Sequence, residues 1–299
     1  NLLTERTEIM INKNFAIILA TCLATQWTMA DAIDDLATYE YGAPGDAGPQ
    51  LERLIHVTAP ADYGPIEARL IALVASPEAT KPGKAFACRA LQQIGTDKAV
   101  PALSGLLNDE VLSHYARLVL ERLKSPAANK AMRDALSSAP DVVKAGLLGS
   151  LGENKDADSL KQIGAQVSNA DAAVAAAALQ ALGKLGGKDA AKRLVNAKVP
   201  EALLAAKMQA IIDCASTLSG SHSEQLYEQA LKSGTPSTKV AAFRGLMSTD
   251  TPKAATLISD AIKGDDASLL NAALGIVAST KGESVTRAVL SLLDGISPE

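Results

Sequence analysis

The sequence predicts an all-α protein, a right-handed α-solenoid of stacked helical hairpins, and three observations support this prediction. A short pattern of small and apolar residues recurs at a period of about 31 residues, as in repeat proteins. Hydrophobic residues make up 47% of the chain but aromatic residues only 3%, so the core must be built from Ala, Leu, Ile and Val. Of these, Ala and Leu favour helices. The alternating β-branched runs that bounded strands need are absent from the sequence.

The repeat motif is a small residue, an apolar residue, a variable residue, a second small residue and a second apolar residue. It is clearest at Ala87–Leu91 and Ala178–Leu182, and less regular copies follow the same order. Successive variable positions are separated by about 28 to about 35 residues, which fits helix pairs stacked side by side. We therefore expect about seven repeats and a partial one. The variable positions are Arg89, Arg117, Gly149, Gln180, Gln209, Arg244 and Gly275.

Each repeat divides into two helices, as the second repeat illustrates. Its first helix is predicted over Val100–Leu107, with Pro101 in the first turn, where no backbone N–H is needed. Asp109 then caps a second helix predicted over Glu110–Leu123, whose apolar residues form one stripe. A glycine in the left-handed conformation is expected to end the second helix of several repeats. The glycines predicted for this role are Gly95, Gly152, Gly186, Gly187 and Gly282.

Residues 1–32 are predicted to be an N-terminal extension with an export signal, and residues 33–299 to be the solenoid. Met10 is a suitable start, Phe15–Ala24 is an apolar run of signal-peptide length, and Ala30–Ala32 offers a cleavage pattern of small residues. A buried first helix is the alternative interpretation of this segment. Near the other end, Glu283–Leu293 contains a first helix only, so we expect the natural chain to continue past residue 299.

The charge balance and the spacing of the histidines argue against several classes of function. The net charge is −4 and no basic stripe is present, so nucleic acid is not an expected ligand. Local pairs such as Lys192-Arg193 are interpreted as solvated helix faces. His56, His114 and His222 lack the spacing of metal ligands, and no catalytic residue, metal or cofactor is expected. Outside the export signal, no apolar run is long enough for stable membrane insertion.

The three cysteines are interpreted from their positions in the repeats. Cys22 falls in the predicted signal, where lipid attachment is an alternative role. Cys88 and Cys214 lie about four repeats apart, too far for a disulfide in a solenoid, so both are expected in the core. The alternative for Cys88 is a thiol whose pKa is lowered by the neighbouring Arg89. Other repeats place apolar side chains at the position of Cys88, which favours the core.

Residues 34–299 resemble the HEAT-repeat family, specifically the short bacterial kind known as bilin-lyase-like HEAT repeats. They also resemble the N-terminal arrays of secreted HEAT proteins from planctomycete-like and verrucomicrobial bacteria. The resemblance implies a right-handed superhelix, but it does not specify a ligand, because HEAT arrays serve many functions. The motifs that carry it most strongly are Phe86–Leu91, Ile94–Thr96, Ala99–Leu103, Leu106–Asp109 and Leu112–Arg117.

The enzymes that contain HEAT repeats do not fit this sequence. Di-iron hydroxylases of this class bind metal through repeated His-Glu pairs, and none of the three histidines here is followed by Glu. HEAT-like DNA glycosylases need a basic groove with aromatic residues, which the acidic balance excludes. Bilin lyases offer no established catalytic signature to carry over, and the predicted export signal indicates a different compartment.

The remaining candidate site is a surface on the second helices, which usually line the concave face of a HEAT superhelix. Arg89, His114 and Arg117 are expected on adjacent second helices, and arginines suit carboxylates and interface hot spots. The alternative is that they are solvated or pack against an acid such as Glu121. The full set of candidate binding residues is Arg89, His114, Arg117, Gln180, Gln209 and Arg244.

These observations predict a non-catalytic scaffold for protein–protein interaction, exported to the periplasm or the cell exterior, with an unidentified protein as its partner. The alternative is that the array is the N-terminal module of a larger exported enzyme or electron-transfer protein, whose catalytic domain lies beyond residue 299. A stop codon directly after Glu299 in the coding sequence would favour the first interpretation.

Overall fold

A computed structural model describes residues 32–42, 47–249 and 253–279, and every regular element in these ranges is helical. The all-α prediction is therefore confirmed. The export signal of residues 1–32, apart from its last residue, lies outside the described residues, as do Gly282 and the helix predicted over Glu283–Leu293. None of the helices in the described ranges is long and apolar enough to cross a membrane.

The chain divides into two compact units, Asn1–Val143 and Lys144–Glu299. Short 3₁₀ turns lead into two of the helices of the first unit, at Pro60–Asp62 and at Asp97–Ala99. The helices of this unit are α1 (residues 32–37), α2 (Ala47–Val57), α3 (Tyr63–Ala75), α4 (Lys81–Ile94), α5 (Val100–Ser104), α6 (Ser113–Leu123) and α7 (Pro126–Leu136). Helix α8 (Asp141–Glu153) contains the boundary between the two units.

The second unit continues with helices of similar length, and 3₁₀ turns at Ala157–Ser159 and Glu201–Leu203 precede two of them. Its helices are α9 (Leu160–Gln166), α10 (Ala172–Leu185), α11 (Gly187–Asn196), α12 (Leu204–Ala215), α13 (Ser221–Ser233), α14 (Pro236–Ser248), α15 (Ala254–Lys263) and α16 (Ala267–Ser279).

Within each unit, the principal helix contacts join a helix to the next one along the chain or to the next but one. In the first unit α4 packs on α3 and on α6, and in the second unit α12 packs on α10, α11, α13 and α14. Contacts of this short range along the chain characterise an α-solenoid, in which each repeat buries the apolar face of its neighbour. The solenoid prediction is confirmed.

The repeat motif corresponds to the buried face of the second helix in each hairpin. In α4, Ala87, Cys88, Ala90 and Leu91 are all buried while Arg89 between them is exposed. The same alternation recurs in α10 around the exposed Gln180. The small residues let neighbouring helices approach closely, and the removal of the apolar side chains from water stabilises the stack.

Two helix boundaries differ from the predictions. The second helix of the hairpin begins at Ser113 instead of Glu110, because Asp109 Oδ1 accepts hydrogen bonds from the backbone N–H groups of Val111 and Leu112, both at 2.9 Å. Asp109 therefore does cap, but it caps a turn that precedes the helix. The first helix of this hairpin ends at Ser104, and residues 105–108 form a turn.

The glycine stops are confirmed at one site and wrong at two others. Gly186 and Gly187 have φ of 68° and 77°, values that favour glycine. Gly95 has φ of −65°, so its role is steric: a Cβ there would lie 2.5 Å from the carbonyl oxygen of Leu91. Gly152 lies inside α8, and the left-handed residue beyond that helix is Lys155, with φ of 52°.

Glycines also set the spacing between helices of the second unit. A Cβ on Gly152 would lie 2.8 Å from Cα of Ala181, and a Cβ on Gly183 would lie 2.9 Å from the carbonyl oxygen of Ala210. The nearest atoms that a Cβ would meet at these positions are backbone atoms. The backbones of α8 and α10, and those of α10 and α12, therefore lie in contact with no side chain between them.

Two buried charged groups join elements in ways the repeat pattern did not indicate. Glu67 of α3 is 3% exposed, and its Oε1 accepts hydrogen bonds from the backbone N–H and the hydroxyl of Thr96, each at 2.6 Å. Lys207 of α12 is 8% exposed, and its Nζ donates to the carbonyl oxygens of Val195, at 3.1 Å, and Ala197, at 2.7 Å. Burial lowers the pKa of Lys207. A cation at the C-terminal end of α11 satisfies carbonyls that have no helical partner.

Candidate functional site

The side chain of Arg89 lies between two aromatic rings on the surface of the first unit. Its Cζ is 5.1 Å from the centroid of the Phe86 ring and 5.4 Å from that of Tyr115. Phe86 and Arg89 are three residues apart on α4 and thus share a face, and α6 packs on α4 and brings Tyr115 to the other side. Both rings attract the guanidinium through their π-electrons, so they hold an exposed cation in a defined position.

Residues 38–42 extend this arrangement with two more rings. The ring of Tyr39 meets Phe86 edge to face, with centroids 5.1 Å apart, and the Tyr41 ring lies 6.2 Å from that of Tyr39. Thr80 anchors the segment, because its hydroxyl donates to the carbonyl oxygen of Tyr39 at 2.5 Å. A hydrogen bond between the Tyr41 and Tyr115 side chains raises the pKa of Tyr41, and partial burial raises it further.

We name the set of Tyr39, Tyr41, Phe86, Arg89 and Tyr115 the Arg89 cluster. The whole chain has five Tyr and three Phe, so four of these eight rings meet at one place. Tyr41 is 60% exposed, and Arg89 is exposed as well. An aromatic-poor protein thus concentrates its rings around one surface arginine.

His114 and Arg117 adjoin the Arg89 cluster and contact each other. Nη2 of Arg117 donates to Nδ1 of His114 at 3.1 Å, and its Nη1 lies 3.5 Å from Oε2 of Glu121. The Arg117 side chain is only 17% exposed, and this burial lowers its pKa while the carboxylate of Glu121 raises it. Arg117 therefore packs against Glu121, as the alternative interpretation expected, whereas Arg89 presents its charge to solvent.

A hollow of about 390 Å³ opens beside Arg89. Cys88 borders it, but burial raises the pKa of that thiol to about 12, despite the opposing charge of Lys84. Cys88 is 1% exposed, so the core role of Cys88 is confirmed and the alternative of a thiol activated by Arg89 is wrong. The hollow is lined by Cys88, Arg89, Gln92, His114, Tyr115 and Leu118.

The predicted binding residues of the second unit occupy the same register on successive second helices. Gln180, Gln209 and Arg244 are exposed on α10, α12 and α14, and α12 packs on both of the other helices. Nε2 of Gln209 donates to Oδ1 of Asp213 at 2.8 Å. These three side chains form a polar row on the second unit, without the ring contacts that surround Arg89.

Comparison with known proteins finds one family model that matches part of this chain. Residues 129–206 match the family model of HEAT repeats. A search of curated proteins finds no match. Among solved structures, the chain is similar to the complex of CpcE and CpcF of phycocyanin lyase from Nostoc sp. PCC7120, with 19% identity and a TM-score of 0.41, over 82% of this chain and 93% of that one. It is also similar to human deoxyhypusine hydroxylase, with 15% identity and a TM-score of 0.36, over 92% of this chain and 97% of that one.

The histidines of this chain lie on three different helices. His56, His114 and His222 belong to α2, α6 and α13, and all three are exposed. In the described ranges, His, Cys, Asp and Glu side chains form no group of three or more that could hold a metal ion.

Sequence reasoning named Arg89 as a candidate but did not indicate the rings around it. Tyr39 and Tyr41 stand almost fifty residues before Arg89, and they reach it only because α1 and the residues after it pack on the start of α4. The available signal was composition: in a chain with 3% aromatic residues, two Tyr within three residues point to a local role.

Proposed function

We propose that this chain is a non-catalytic scaffold that binds another protein through the Arg89 cluster. The observation that carries the proposal is a solvent-exposed arginine held between two aromatic rings, in a chain with only 3% aromatic residues. Arg and Tyr are enriched among the residues that dominate protein interfaces. A guanidinium already positioned by Phe86 and Tyr115 loses little side-chain entropy on binding, which favours affinity.

Charge reversal at Arg89 provides the test. We expect Arg89→Glu to reduce recovery of the partner by about tenfold when the tagged chain is used for capture from the exported fraction of the source organism. Quantitative mass spectrometry measures recovery, and circular dichroism verifies that helicity is unchanged. Arg89 is a cleaner target than Arg117, whose reversal would also disrupt its contacts with Glu121 and His114.

Arg244→Glu is the matched control, because Arg244 occupies the same position of its repeat, is exposed, and belongs to the second unit. Recovery with this variant should stay within about twofold of the unchanged protein. Equal losses in both variants would assign binding to the whole row of variable positions, and no loss in Arg89→Glu would refute a role for the Arg89 cluster.

We further propose that the scaffold is exported, in keeping with its resemblance to secreted bacterial HEAT arrays. The support is the signal-like sequence of Met10–Ala32. Expression from Met10 with a C-terminal tag should yield a periplasmic or secreted protein whose N-terminal residue is Ile33, as read by mass spectrometry. A cytosolic product that retains Met10 would contradict export.

A further inference from the structure

A basic groove runs between α9 and α11 in the second unit, whereas the residues of the Arg89 cluster belong to the first unit. Its volume is about 720 Å³, within the range of binding sites for small ligands and short peptide segments. We name it the α9–α11 groove. Its lining residues include Leu160, Gly164, Val167, Asp189, Lys192, Arg193 and Lys198.

The charge of the α9–α11 groove is opposite to that of the whole chain. Lys192, Arg193 and Lys198 line it against one acid, Asp189, whereas the chain as a whole has a net charge of −4. None of these three cations forms an ion pair within the described part of the second unit. Three exposed positive charges that lack an internal counterion attract an anionic ligand.

Packing positions these cations before any ligand arrives. A Cβ on Gly164 would lie 2.8 Å from Nη1 and 3.1 Å from Cδ of Arg193, so the arginine lies directly over a glycine that leaves room for it. The α11 wall continues through Ala197 to Lys198, and the buried Lys207 fixes its backbone there, because Nζ of Lys207 donates to the carbonyl oxygen of Ala197 at 2.7 Å. Lys207 adds a fourth positive charge behind that wall.

The shape and the apolar content favour a peptide over a small anion. Lys192, Arg193 and Lys198 are exposed, so the groove is open along its length, whereas sites for small molecules enclose most of the ligand. The half-buried Leu160 offers an apolar contact in the same groove, and the buried side chain of Val167 lies beside it in the lining. We propose that the α9–α11 groove binds an acidic peptide segment, with carboxylates on Arg193 and Lys198 and an apolar side chain against Leu160 and Val167.

The test uses the full chain and a fluorescein-labelled hexapeptide of sequence Glu-Glu-Leu-Glu-Glu-Leu, with fluorescence anisotropy as the readout. Binding should weaken about tenfold in the Arg193→Ala/Lys198→Ala double variant and should weaken strongly between about 20 mM and about 200 mM NaCl. Lys161→Ala, an exposed lysine of α9 outside the groove, is the matched control and should bind as the unchanged protein does. Gly164→Ala displaces the Arg193 guanidinium and should weaken binding about threefold.

Each alternative outcome overturns the proposal. A peptide with Lys in place of Glu that binds equally well would remove the role of charge. Equal affinity in the double variant, or no binding at all, would assign no peptide to the groove. Displacement of the peptide by an equal concentration of inorganic phosphate would identify a small-anion site. The Arg89→Glu variant should bind the hexapeptide normally, so failure here is distinguishable from failure of the proposed function.

Discussion

Substitution of Gly152 by alanine should lower the free energy of unfolding of the second unit by about 2 kcal/mol, although alanine normally strengthens a helix. The added Cβ would lie 2.8 Å from Cα and 3.3 Å from the carbonyl oxygen of Ala181. These are backbone atoms, so no side-chain rotation relieves the clash and α8 must move away from α10. Such a movement removes the close contact by which one repeat packs on the next.

Gly149→Ala, one turn earlier in the same helix, is the matched control. A Cβ on Gly149 would meet nothing within 4 Å, so this substitution should raise the free energy of unfolding by about 0.5 to 1 kcal/mol through helix propensity alone. Urea denaturation followed by circular dichroism measures both changes, taken from the transition of the second unit. If both variants were stabilised, helix spacing at Gly152 would not limit packing.

Removal of the buried carboxylate in Glu67→Ala should cost about 3 kcal/mol of unfolding free energy in the first unit. Oε1 of Glu67 accepts two hydrogen bonds of 2.6 Å from Thr96, and hydrogen bonds to a charged acceptor are stronger than those between neutral groups. The substitution also leaves a cavity where a side chain that is 3% exposed had been. The turn after α4 would lose its attachment to α3.

Two further variants separate the causes of this loss. Glu67→Gln keeps the shape and one acceptor oxygen, so it should cost about 1 kcal/mol, the difference between a charged and a neutral acceptor. Glu78→Ala removes an exposed carboxylate from the same unit and should change stability by less than about 0.5 kcal/mol. Thermal and urea unfolding give these values, and a Glu67→Ala variant as stable as Glu78→Ala would show that the Thr96 contact is dispensable.

The sequence predicted those parts of the fold that repeat. The recurring motif correctly identified buried positions such as Ala87 and Leu91 and the exposed Arg89 between them, because burial of one helix face imposes the same spacing in every hairpin. It could not predict a residue that departs from the motif for a local reason. Lys207 stands where the motif calls for a small residue, and only the position of the α11 carbonyls explains why a lysine is buried there.

Contacts between segments that are distant in the chain could not be predicted from the sequence either. The ring of Tyr39 contacts that of Phe86 because α1 packs on α4, and the side chain of Arg193 lies over Gly164 of α9. Neither contact can be predicted from the residue pattern of a single helix. Lys192 and Arg193 are exposed, as the interpretation of a solvated helix face expected, yet the same face forms a wall of the α9–α11 groove. Exposure follows from helical periodicity, whereas what an exposed face borders depends on the neighbouring helix.

The two buried cysteines have a practical consequence for the study of this chain. Cys88 belongs to the first unit and Cys214 to the second, and burial raises the pKa of their thiols to about 12 and about 11. Alkylating reagents attack the thiolate, so each cysteine becomes labelled only when its own unit opens. The described residues thus contain two native probes of local opening, one in each unit. The ratio of their labelling rates reveals whether the two units unfold together or one before the other.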